Sequence, residues 1–157
     1  MSGTQDPTKA IADAKRRPND VRAQMAAAYA CDRAGNEREA IVHYERAWAL
    51  GVPDGDREDF IVGFGSTLRN VGRADEAVVH LGEAVAAHPE NAAIRAFLAL
   101  ALFSAGHPSL AMATMLETAL SASRPGAFHG YERALSTYQA ELVDAALGVA
   151  RPEDRTD

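Results

Sequence analysis

At 157 residues and 16.7 kDa the chain can build one domain with a substantial core, but not two of ordinary size. It holds 33 alanines, 6% aromatics and few β-branched runs, which favours helix over strand and predicts an all-α protein. A formal charge of -6 and a pI near 5.3 exclude the clustered Lys and Arg that a phosphate backbone needs, so no nucleic-acid partner is expected.

The longest apolar run, Ala96 to Phe103, is far below the roughly 18 to 20 residues that cross a bilayer, so no membrane partner is expected either. The first residues lack the basic and apolar regions of a secretion signal, and a cytoplasmic location is the expectation. Cys31 is the single cysteine, which rules out an internal disulfide and any multi-cysteine zinc site.

In chain order, residues 1–5 are a polar tail expected to be disordered. Asp6-Pro7-Thr8 then carries an N-cap and a first-turn proline, and the segment ends in basic residues, predicting a capping helix over 6–17. From 18 to 123 a helix-turn-helix signal recurs three times, marked by Gly35, Gly72 and Gly106. The intervals are 37 and 34 residues; the three extra residues fall in the polar stretch Gly51-Val-Pro-Asp-Gly-Asp-Arg, so the underlying period is 34.

The same residue classes return at fixed offsets from each glycine. Five residues after it stand Ala40, Ala77 and Ala111, small enough for close approach of two helix axes. Nine after it, Tyr44, Leu81 and Met115 continue that face as expected core, and twelve after it come Ala47, Ala84 and Thr118. Seven before it, Ala28, Gly65 and Ala99 are small; four before it, Cys31, Leu68 and Leu102 finish the apolar stripe of the first helix. Asn36 with Glu39 forms a candidate capping box, Pro108 suits a first helical turn, and Asn91 suits an N-cap. Pro18 and Pro89 close turns between pairs.

This constellation resembles the tetratricopeptide repeat family over Pro18 to Leu120. The stretch Gly65 to Arg73, followed by Ala92 to Gly106, is similar to the bacterial group 5 of that family. The resemblance implies a right-handed superhelical stack of antiparallel helix pairs, three repeats between N- and C-terminal capping helices. It also implies a non-catalytic scaffold that binds a protein or peptide segment. The family pattern is incomplete: Gln24, Ile61 and Arg95 stand where an early aromatic is usual, and Val52 and Ser123 where a closing proline is usual.

In the last segment, Phe128, Tyr131, Leu135, Tyr138, Leu142 and Ala145 recur at intervals of three and four. Over 124–149 this predicts a terminal helix that covers the third repeat, as the ends of solenoids require. The competing reading is a dimer contact, which would make the chain a self-associating structural protein. Residues 150–157 are a second polar tail expected to be disordered.

Catalytic and metal chemistry find little support. His43 and His80 share an offset of eight, yet equivalent residues in stacked repeats are separated by about 8 to 10 Å per interaxial step, too far to share one ion; surface histidines are expected. His88, His107 and His129 have no Cys or carboxylate at ligand spacing. There is no Gly-x-Ser-x-Gly elbow, phosphate-cradling loop or Cys-x-x-Cys, and Gly63 and Gly65 fall within a helix. No metal, no cofactor and no catalytic residue is predicted. An enzyme is the weakest of three functional readings.

In the family, the first helix of each pair lines a concave face that holds the ligand. Offsets of two, three, six, nine and ten residues before each glycine select Met25, Ala26, Tyr29, Asp32 and Arg33, then Val62, Gly63, Ser66, Arg69 and Asn70. In the third repeat they select Ala96, Phe97, Leu100, Phe103 and Ser104. Arg33, Arg69 and Asn70 offer donors for a carboxylate or peptide backbone, and Phe97, Leu100 and Phe103 form an apolar end. The expected contact set is Met25, Tyr29, Arg33, Ser66, Arg69, Asn70, Phe97, Leu100 and Phe103. Chaperone-docking relatives use a Lys and Asn clamp in the first repeat, where this chain has Met25 and Tyr29. Either the apolar end is open to ligand, or Tyr131 or Tyr138 of the final helix fills it.

Overall fold

The computed structural model describes residues 6–149, so both expected tails, 1–5 and 150–157, lie outside the described residues. The described residues form eight α-helices and no strand: α1 (Pro7–Arg16), α2 (Val21–Arg33), α3 (Glu37–Leu50), α4 (Arg57–Asn70), α5 (Ala74–Ala87), α6 (Ala92–Ser104), α7 (Pro108–Ala122) and α8 (Glu132–Ala146). One 3₁₀ turn, Asp54–Asp56, occupies the inserted loop between α3 and α4.

Helix ends follow local chemistry. Asp6 accepts the Thr8 N–H, Asp20 accepts those of Arg22 and Ala23, and Asn91 accepts that of Ile94, satisfying N–H groups without intrahelical partners. Pro108 opens α7. The capping box expected from Asn36 and Glu39 does not form: Asn36 makes no side-chain cap bond, and the Glu39 carboxylate instead lies 3.8 Å from the His43 ring one turn on.

Gly35, Gly72 and Gly106 have φ of 73°, 87° and 85°, a left-handed conformation that only glycine adopts without Cβ strain. After each, the next residue's N–H reaches back 2.9 Å to the carbonyl of Cys31, Leu68 or Leu102. This recurring 6→1 bond is the helix-ending motif that reverses the chain into the second helix of each pair.

The pairs α2/α3, α4/α5 and α6/α7 stack in order, with α4 packed on α2 and α3, and α6 on α4 and α5. The shared core runs from Met25 to Ala101 and is richest where the first repeat meets the second. There Tyr44 packs on Phe60 and Phe64 at centroid distances of 5.3 and 5.8 Å, and Trp48 stacks on Phe60 at 6.2 Å. Each fully buried large side chain of this kind contributes about 1.5–3 kcal/mol of transfer free energy. Gly65 is required for packing: a Cβ there would sit 2.7 Å from the Leu81 side chain. Gly63 plays the same part against the Tyr44 ring.

Two expectations about side chains are corrected. His43 is buried: its Nδ1 lies 2.8 Å from the Gln24 amide oxygen, while the Gln24 amide nitrogen donates to the carbonyls of Ala14 and Pro18. His80 is half-buried between the rings of Trp48 and Phe64. Neither is a solvated surface histidine, because the offset of eight lies close to the aromatic and N-terminal packing rather than on the outer surface. Gln24, seen in sequence only as a missing aromatic, fastens α1 to the first pair.

The C-terminal segment also differs. Its helix begins at Glu132, after turns around Gly126 and Gly130 with positive φ, so 124–131 is not helical. α8 packs on α7, and among the described residues its backbone approaches no part of α6 within 8 Å. Tyr131 and Tyr138 do not fill the apolar end; both stay exposed. Met115, expected in the core, is 37% exposed for the same reason.

Candidate binding face

In each first helix the positions 13 and two residues before the marker glycine are exposed and those nine and six before it are half-buried or exposed, at spacings of four, three and four that share one side of a helix. In α2 the line is Arg22, Ala26, Tyr29 and Arg33. In α4 it is Asp59, Gly63, Ser66 and Asn70, and in α6 it is Ala93, Phe97, Leu100 and Ser104.

The expected contact residues divide along this line. Arg33 and Asn70 are exposed at helix C-terminal ends, and Tyr29 and Ser66 are half-buried beside them. Tyr29 packs edge-on to Tyr44 and Phe60, at 5.9 and 6.4 Å. Burial, reinforced by the carboxylates of Asp56 and Asp59, pushes its hydroxyl up to about 12, so it stays a neutral donor in ordinary buffers. Arg69 is half-buried, and its Nε is buried with no hydrogen-bond partner among the described residues.

Met25 does not belong to the face. It is 3% exposed and part of the central core, because ten residues before the glycine the helix points toward the next repeat rather than to solvent. Asp32, three before, points the same way and accepts the Tyr44 hydroxyl at 3.0 Å.

Phe97 is half-buried against the core, whereas Leu100 and Phe103 are 41% and 68% exposed. They line a depression of about 250 Å³ with Ala99, Pro108, Ala111, Met112 and Met115, which puts them between α6 and α7. The polar residues and this apolar depression are therefore separate features.

Arg22 and Asp59 were missed from sequence. Both are exposed at the N-terminal end of the line, and Arg22 pairs with Asp56 at 2.5 Å across the first inter-repeat junction. The signal was available: stepping back four, three and four residues from Arg33 or Asn70 reaches them. A second cavity of about 270 Å³ lies near the inserted loop, lined by Trp48, Arg57, His80, Glu83 and His88 among others. No group of three or more His, Cys, Asp or Glu among the described residues is placed to hold a metal ion, and no described helix is long and apolar enough to cross a membrane.

Comparison with curated proteins and with solved structures gives no match. A family model described as Tetratrico peptide repeat, of group 5, matches residues 21–142, well over half of the chain. That span begins at the first residue of α2 and ends within α8, covering all three glycine-marked pairs. Fold, period and family model agree, and the chain belongs to the tetratricopeptide repeat family, group 5.

Proposed function

We propose that the chain is a non-catalytic scaffold that holds a protein or peptide segment along the outward line of α2 and α4, with Tyr29, Arg33, Ser66 and Asn70 as contacts and Arg69 beside them. The family is one of protein-interaction repeats, which supports the general reading. The observation that carries the specific one is the pair Arg33 and Asn70, exposed donors at equivalent C-terminal ends of α2 and α4. A ligand carboxylate or backbone carbonyl would accept from them, so the segment preferred is acidic, with apolar residues to lie against Tyr29.

A cytoplasmic location fits the reduced, buried Cys31. The test is an array of acidic-hydrophobic peptides against the wild type and the variant carrying Arg69→Ala and Asn70→Ala. Retained peptides should weaken by tenfold or more, about 1.4 kcal/mol. Equal binding by a folded variant would remove this face from the function.

A further inference from the structure

The three repeats present the same face to whatever follows them, built from the residues six and three before the glycine and six and nine after it. In the first repeat these are Tyr29, Asp32, Ile41 and Tyr44, in the second Ser66, Arg69, Val78 and Leu81, and in the third Leu100, Phe103, Met112 and Met115. A following helix pair covers the first two faces, α4 on one and α6 on the other, and leaves Tyr44 and Leu81 with no exposed surface. Among the described residues nothing covers the third: Leu100, Phe103, Met112 and Met115 are 41%, 68%, 55% and 37% exposed.

The reason is the seat that α8 takes. Ala113 is buried, although its equivalents Val42 and Val79 are 55% and 58% exposed, so α8 lies on the outer stripe of α7 that the other repeats leave to solvent. Its apolar positions are out of phase with those of α4 and α6: eight and 12 residues before Gly148 stand Ala140 and Ser136, where the earlier helices carry Phe64 and Phe60 or Leu98 and Ile94. The helix that would close the stack cannot offer the large residues that closure needs.

We infer that this open end is a self-association surface, and that its occupant is the same end of a second copy. The polar links that select the correct neighbour at the covered junctions are Arg22 to Asp56, Arg73 to Glu45, and Asn91 to Glu58. The third-repeat equivalents of Arg22, Glu45 and Glu58 are Ala93, Leu116 and Ala92, and Asp32 becomes Phe103. A foreign helix would find no charge to read there, whereas an apolar patch is complementary to itself about a two-fold axis. Homodimer interfaces are the more apolar class. Two helices of this length present a face of about 20 by 20 Å, or roughly 400 Å² per copy, which sets the pairing at weak and reversible.

Sedimentation equilibrium up to roughly 100 µM chain is the test, a range that populates a pairing with a Kd of the order of tens of micromolar. The wild type should be a monomer–dimer mixture. Phe103→Glu with Met115→Glu should weaken pairing at least about tenfold, whereas Val79→Glu, equally exposed on the outer stripe of α5, should leave it unchanged. If circular dichroism shows that the double variant is unfolded, Leu100→Lys alone decides. A wild type that is monomeric throughout overturns the inference. So does a dimer that survives these changes and is lost on Tyr131→Ser with Tyr138→Ser, which would place the contact on α8. Arg69→Ala with Asn70→Ala should pair normally, which separates failure of this surface from failure of the peptide-binding face.

Discussion

The junction between the first and second repeats and the open end of the third are the same surface at two stages of completion. At the first, Tyr44 is enclosed by Phe60 and Phe64, Gly63 lets α4 approach its ring, and Asp32 takes its hydroxyl. At the second, Met112 and Met115 occupy the matching places with no described helix above them. A solenoid repeat is therefore stabilised less by its own residues than by the neighbour that arrives after it. A substitution should accordingly matter according to which junction it touches.

The largest effect is expected at the completed junction. Phe60→Ala removes a ring with no exposed surface and should cost about 3–5 kcal/mol in urea unfolding. A loss below 1 kcal/mol would contradict the enclosure described. Gly65→Val should follow at about 1–3 kcal/mol, since its side chain must displace Leu81. Thr67→Val should move the other way: the hydroxyl is wholly buried without a partner among the described residues, and Ala30 and Ala101 stand at its equivalents, so thermal unfolding should show a gain of about 1 kcal/mol.

A smaller, pH-dependent effect belongs to His43. Burial lowers its pKa below the usual 6.5, the nearby Glu39 opposing and Lys15 adding to the shift. The folded state therefore favours the neutral ring, and the unfolded chain binds more protons as pH falls. Its contribution is present above the unfolded value and is lost as pH drops through 6.5 and then through the lower folded value. Melting temperatures taken from pH 8 to 5 should fall more steeply for the wild type than for His43→Gln; parallel curves would remove His43 as the cause. On α8, Tyr138→Ser should change the stability of the monomer by no more than about 0.5 kcal/mol, because the ring is exposed.

The repeat was legible because its determinants are local. Gly35, Gly72 and Gly106 each fix a reversal through their own φ and a bond five residues back, and Asp6, Asp20 and Asn91 cap through neighbouring N–H groups. The core stripe followed from spacing alone, down to Gly65 beneath Leu81. What spacing could not supply was any contact depending on which helix arrives next. Met115 matches Tyr44 and Leu81 in sequence, but it lacks the cover that makes them core. Met25 was misplaced because its position, ten before Gly35, faces the next repeat, whereas the line through Arg33, Tyr29 and Ala26 runs on to Arg22. The burial of His43 needed Gln24, 19 residues away, and the turn at Pro18.

Gln24 has one more effect. By donating to Ala14 and Pro18 while meeting His43, it seals α1 onto the front of the array. Chains that polymerise head to tail need a free surface at both extremities, and here one extremity is already shut. Growth has no second step: two molecules that meet by their bare ends have no further seat to offer, so the assembly stops at a pair and does not lengthen into a fibre.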